Sequence, residues 1–276
     1  MCHFYYKQSI KKDMKNLSVT NDLKIENLKG PVNKCIIKKF ILKDHKKKED
    51  EKTVNLYNTK GMITEMMRYD YLGELANHQI SEYDNNGNKV LFKNLDEYGD
   101  IESYGRLIYD KHNRKIGKLF NGEIYEHYLY TGNEHNISST LCPTSKNETK
   151  FYYDDFGFVK ETITDPSHED IKQHKLFKQS LTNRVLYKTD NFGNILSQQF
   201  YDYFSNELFV EIRNQVNQYG DIIESTYYKF PTKAFDNNYF RKYDYAYDQY
   251  KNWITCNIQN YSNQAVEIME REITYS

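Results

Sequence analysis

His168, Glu169, Asp170 and His174 stand close together in the chain. Imidazoles beside carboxylates are the donor set of a zinc site. The spacing does not suit one. Two helix-borne ligands need a separation of three or four residues, whereas six residues turn a helix by about 600° and place the two histidines on different faces. They read as solvated loop residues. A second set of carboxylates recurs at Asp70, Asp84, Asp96, Asp110, Asp154, Asp190 and Asp248. Paired acids would suit general acid–base chemistry. Here each acid is followed three residues later by Gly, Asn or Lys, the spacing of a turn, where the side chain binds its own backbone. Cys2, Cys35, Cys142 and Cys256 are far apart and form no CxxC or Cys/His pattern. No nucleophile-elbow, P-loop or dinucleotide fingerprint is present. The residues therefore predict no catalytic site, no metal and no cofactor, and a chain that is not an enzyme.

The elements that carry these acids form a repeat. Units begin at Tyr57 (YNTKG), Tyr69 (YDYLG), Tyr83 (YDNNG), Leu95 (LDEYG) and Tyr109 (YDKHN). Their steps alternate between 12 and 14 residues, so the full period is 26. Asx with Gly three residues on closes a type I turn into a bulged hairpin, Gly taking the positive φ. The runs between turns are rich in Tyr, Ile, Val, Leu and Thr, which is strand composition. Alternate turns then fall on opposite edges of one sheet. Turns near Thr59, Asn85 and Lys111 share an edge, and those near Tyr71 and Glu97 share the other.

The full unit Tyr83-Asp84-Asn85-Asn86-Gly87-Asn88 resembles the core of YD repeats, also called Rhs (rearrangement-hotspot) repeats. Later units start at Tyr153, Thr189, Val216 and Tyr247; Thr189, Val216 and Lys251 depart from the pattern. The resemblance covers roughly residues 23–276 and is closest to small YD-repeat proteins of Bacteroidetes-type bacteria. It implies an all-β fold: a long, twisted antiparallel meander of repeated hairpins in a single curled sheet. It also implies an association with polymorphic toxins. About ten units are too few for a cargo-enclosing shell, and the chain ends on a repeat strand without a toxin domain.

Composition agrees with a thin sheet. Of 276 residues, 27 are Tyr and 15 Phe, broad apolar faces with, in Tyr, a polar tip. The net charge of −1 offers no general attraction to nucleic acid or anionic membrane. Residues 1–20 are basic and polar and read as a mobile arm, with 21–276 as the repeat domain. Leu23–Phe40 reads as the opening strand, punctuated by Gly30-Pro31. Residues 131–149 read as the long loop. The last strand, Ala265–Tyr275, mixes charged and apolar side chains on both faces, the pattern of an exposed edge that resists pairing.

The cluster Tyr239, Phe240, Tyr243, Tyr245, Tyr247, Tyr250 and Trp253 is the candidate binding surface, because Tyr and Trp dominate interface hot spots. The alternative is that these rings pack across neighbouring strands. The N-terminus has no apolar signal core and no run is long enough to span a bilayer. This places the chain in the cytoplasm, or in the cell envelope if the start codon is misassigned. The expected function is non-enzymatic binding of another protein, as an immunity or accessory protein for a polymorphic toxin. The alternative is a cell-envelope carbohydrate-binding protein. Neither nucleic acid nor membrane insertion is expected.

Overall fold

Each Asx unit folds into the same turn. The Asx amide N–H donates to the carbonyl four residues on, as in Asp70 N to Glu74 O at 3.0 Å and Asp96 N to Asp100 O at 2.9 Å. The Asx side chain accepts two backbone N–H groups, two and four residues ahead. Asp154 Oδ1 thus takes Phe156 N at 2.9 Å and Phe158 N at 2.8 Å. The residue before the Asx pairs with the residue six positions on, across a bulge: Tyr57 with Ile63, Tyr69 with Leu75, Tyr83 with Lys89, Leu95 with Ile101. The departing units obey the same rule. Thr189 pairs with Ile195, Val216 with Ile222 and Tyr247 with Trp253. Lys251 takes the glycine's place at φ 66°.

The computed structural model describes residues 22–43, 46–130, 136–143, 147–165, 171–172 and 182–276. One short helix, α1 (Asp22–Ile25), precedes nineteen strands among these residues. They are β1 (Val32–Lys43), β2 (Lys46–Tyr57), β3 (Ile63–Tyr69), β4 (Leu75–Tyr83), β5 (Lys89–Leu95), β6 (Ile101–Tyr109), β7 (Lys115–Phe120), β8 (Glu123–Tyr130), β9 (Ile137–Cys142) and β10 (Asn147–Tyr153). There follow β11 (Val159–Asp165), β12 (Thr182–Thr189), β13 (Ile195–Asp202), β14 (Leu208–Val216), β15 (Ile222–Lys229), β16 (Ala234–Phe235), β17 (Arg241–Tyr247), β18 (Trp253–Gln259) and β19 (Ala265–Tyr275). The arm read at residues 1–20 and the group His168, Glu169, Asp170 and His174 lie outside the described residues. The segment 131–149 is not one loop, since β9 lies within it and pairs with β8 and β10. Its Ser and Thr residues suit a strand as well as a loop.

Two compact units share the strands. One comprises Ile108–Lys118 and Ile124–Phe240, the other Ser18–Leu107, Leu119–Glu123 and Arg241–Ser276. In the first, β8 to β16 pair antiparallel in chain order. Its turns interlock along one edge. A Cβ on Gly193 would lie 2.3 Å from the Phe158 ring, and one on Gly220 would lie 2.9 Å from Asn194 Oδ1. The residue after one turn's glycine thus fills the space beside the glycine of the next.

In the second unit the order is β17–β18–β19–β1–β2–β3–β4–β5–β6. Here the expectation of an open curled sheet is corrected. β1 hydrogen bonds both β2 and β19, so the meander is a closed antiparallel run whose first and last strands are neighbours. β19 is not an exposed edge. Its acids answer the lysines of β1 and β2: Lys38 meets Glu272 at 2.5 Å, Lys39 meets Glu267 at 3.5 Å, and Lys47 meets Glu270. The mixed pattern that suggested an edge is therefore charge matching with a lysine-rich neighbour.

The opening is also corrected. Leu23–Gly30 is not strand, because α1 and the turn after it fold onto one face of β1–β4. Asp22 Oδ2 accepts Ile63 N at 2.6 Å and the Tyr83 hydroxyl at 2.9 Å. Leu23 and Leu28 are buried with Val32, Cys35 and Tyr57 as one core cluster. Trp253, Cys256 and Ile258 form a second, packed by Tyr243, Tyr245, Tyr247, Val266 and Met269. Burial pushes the Cys35 thiol up to about 11, which keeps it protonated and unreactive.

Candidate functional site

The aromatic residues singled out from the sequence divide between two environments. Tyr243, Tyr245 and Tyr247 alternate along β17 and share a face, as a period of two requires. The Tyr243 and Tyr245 rings stack at 6.4 Å with 12° between planes, and Tyr245 lies 5.9 Å from Tyr247 and 6.1 Å from Trp253. Trp253 is only 9% exposed. These four are brought together as a half-buried cross-strand ladder. Tyr250 stands apart at a turn, 4.4 Å from the Tyr275 ring and against Gly30. Tyr239 belongs to the other unit, on a single 3-10 turn after β16, and lies 4.8 Å from Tyr227.

A different set of aromatics is presented outward, in the second unit. The hairpins β18–β19, β1–β2, β3–β4 and β5–β6 open toward the same edge. Adjacent strands lie about 4.8 Å apart, so successive tips recur at roughly 10 Å. Tyr261 crowns the first tip, Tyr71 and Leu72 the third, and Tyr98 the fourth. They are 54%, 56%, 65% and 83% exposed. The second hairpin brings lysines, and Lys48 Nζ lies 4.9 Å over the Tyr71 ring.

The turn chemistry fixes the backbone that carries these side chains. Asp96 Oδ1 holds Tyr98 N at 3.0 Å and Asp100 N at 2.8 Å. Asp70 Oδ1 holds Leu72 N at 2.8 Å and Glu74 N at 3.1 Å. Asn260 Oδ1 holds Ser262 N and Gln264 N, both at 3.0 Å. The carboxylates of the repeat are thus engaged at the turns. At Asp110 this favours the charged form: the backbone N–H of Arg114 heads the causes that lower its carboxyl to about 2. A carboxyl so lowered is a poor general base.

Sequence reasoning missed this row, although a signal was there. A large apolar residue recurs just before the turn glycine or its substitute: Leu72, Tyr98, Phe156, Phe192, Tyr219 and Tyr250. It also missed a group on the face that α1 covers, comprising Glu26, Asn55, Tyr57, Arg271 and Trp253. Glu26 accepts from Asn55 Nδ2 and from the Tyr57 hydroxyl, each at 3.3 Å. Burial pushes its carboxyl above the usual carboxylate range against the pull of the Arg271 charge. The Arg271 guanidinium lies 3.6 Å over the Trp253 ring. Nothing local in the sequence joins these residues, because β1 and β19 are some 230 positions apart.

No protein-family model matches the chain, and no curated protein matches it. Solved structures similar to it include the Photorhabdus luminescens Tc holotoxin pore, at 10% identity over 75% of this chain and 14% of that one, with a TM-score of 0.33. Another is the TcdB2-TccC3 structure, at 12% identity over 78% of this chain and 12% of that one, with a TM-score of 0.36. A third is a porin-like protein from Bacteroides uniformis, at 8% identity over 89% of this chain and 98% of that one, with a TM-score of 0.41. The chain spans about an eighth of the length of the toxin chains it resembles. At these scores the likenesses carry no argument about what this chain does.

Proposed function

We propose that this chain is a non-enzymatic protein-binding module of YD-repeat type, whose contact surface is the row of hairpin tips at Tyr261, Tyr71, Leu72 and Tyr98. The observation that carries the reading is the exposure of large apolar side chains on turns fixed by Asx hydrogen bonds. A preordered anchor loses little entropy on docking, and Tyr is among the residues that dominate such contacts. The likeness of the repeats to a toxin-associated family supports the finer reading, an immunity or accessory protein for a polymorphic toxin. Insertion of the strands into a bilayer is disfavoured by β2, where every residue from Lys46 to Lys52 is charged. Both faces of that strand then bear charge, and a lipid-facing surface tolerates little. Carbohydrate binding ranks second, because the Trp253 ladder leaves little open ring face for a sugar.

The test is capture of partners by the tagged full chain from the cells that encode it, alongside a variant combining Tyr71→Ala, Tyr98→Ala and Tyr261→Ala. One protein is expected at near-stoichiometric yield with the parent chain. The triple variant, with unchanged circular dichroism, is expected to retain at least tenfold less, about 1.4 kcal/mol of binding. A partner held equally by both chains removes the tips from the interface. Recovery in the envelope fraction with glycan retention and no protein partner would favour the second reading.

A further inference from the structure

On the face of the second unit that α1 covers, a cation keeps bare donors. Arg271 stacks on Trp253, which occupies the flat face of the guanidinium and leaves its N–H groups pointing sideways. Two of these nitrogens, Nε and Nη1, are buried and meet no acceptor among the described residues. Asn55 Oδ1 is likewise buried and meets no donor. The two side chains share a face. Arg271 is paired with Ile37 and Asn55 with Cys35, and residues 35 and 37 of one strand point the same way. Glu26 engages Asn55 Nδ2 and the Tyr57 hydroxyl, and neither bare donor of Arg271.

A buried donor without an acceptor is costly, and a charged one more so. The missing partner has three requirements to meet. It must accept from two N–H groups, donate to an amide oxygen, and balance a positive charge whose acidic neighbour, Glu26, is held toward its neutral form by burial. A carboxylate or sulfate accepts but has no proton to give. Water accepts and donates but has no charge. We propose that Arg271 and Asn55 bind hydrogen phosphate. Its charged oxygens accept from Nε and Nη1, and its P–OH donates to Asn55 Oδ1. This site is separate from the tip row and does not depend on the function argued for it.

Trp253 is the only tryptophan of the chain, so its emission reports on the Arg271 stack. The experiment titrates inorganic phosphate, then sulfate, into the full chain near neutral pH at constant ionic strength, with chloride as the balancing anion. The expected result is a saturable change in emission, with phosphate bound about tenfold more tightly than sulfate, the scale of one hydrogen bond to a charged partner. Asn55→Ala is expected to bring phosphate down to the affinity of sulfate and leave sulfate unchanged. Arg271→Lys is expected to weaken both. Should the Arg271 variant fail to fold, the two anions on the parent chain and on Asn55→Ala still decide. Emission that follows ionic strength alone overturns the proposal and leaves water as the occupant. A phosphate preference that survives Asn55→Ala also overturns it.

Discussion

Asn252 shows how one side chain can tie distant segments together. It is fully buried, accepts from Lys29 N at 2.7 Å, and donates to Lys29 O at 2.9 Å and to the Tyr275 hydroxyl at 2.7 Å. Asn252→Ala removes three hydrogen bonds, those to Lys29 N, Lys29 O and the Tyr275 hydroxyl, so we expect a loss of about 2–4 kcal/mol in urea unfolding. Glu26 contributes to the pH dependence with a sign opposite to that of lowered carboxyls such as Asp110. Its folded-state pKa is raised, by burial first. Its contribution is therefore full below the unfolded carboxylate value of about 4.3 and is lost as pH rises through the higher folded value. Glu26→Gln removes the titration and keeps one carbonyl oxygen in place of the two that accept from Asn55 and Tyr57. We expect it to raise the urea midpoint at neutral pH and to leave it unchanged near pH 4. The Asx residues of the turns were legible in the sequence because their partners lie within four residues. Glu26, Arg271 and Asn252 were not, since their burial follows from a register between strands at opposite ends of the chain.

At the scale of the hairpin, the sequence is most explicit, and the structure adds what lies beside each turn. Gly99 and Gly193 both require positive φ, at 87° and 84°. A Cβ on Gly99 meets nothing within 4 Å, whereas one on Gly193 falls 2.3 Å from Phe158. Gly99→Ala should cost about 1 kcal/mol of backbone strain, and Gly193→Ala roughly 3 kcal/mol or more, because a packed ring must also move. Thermal unfolding of the two variants in parallel checks the contrast; equal losses would mean the turns do not interlock. Two turns escaped the sequence pattern, Asp202–Glu207 and Asn260–Gln264. In each the residue at positive φ is Asn, Asn206 at 54° and Asn263 at 57°. Asparagine tolerates that conformation, but without glycine the motif loses its clearest letter. The tip row depends on the second of these turns, which is why the aromatic strands rather than the tips drew attention from sequence alone.

For the molecule as a whole, fold class was legible and closure was not. Strand content and turn spacing are local properties. Whether the first strand meets the last depends on accumulated twist and strand number, which no single repeat encodes. The matched charges were visible as composition, lysines early and acids late, but they specify a pairing only once the strands are known to meet. A chain ending after Asn263 would lack β19 and leave β1 and β18 each with an unpaired edge. We expect such a chain to self-associate in light scattering, where the full chain gives one defined mass.

The meeting of β1 with β19 also sets an order of events during synthesis. A ribosome adds about 5–20 residues per second, so β1 emerges on the order of tens of seconds before its second neighbour exists. Throughout that interval β1 has only β2 beside it in the sheet, and one row of its backbone groups faces solvent or another nascent chain. Lys34, Lys38, Lys39 and Lys43 lie along that strand. Charged side chains discourage a stray strand from docking. The lysines that finally pair with Glu267 and Glu272 thus serve first as guards of an unfinished polypeptide, and only afterwards as partners within a finished one.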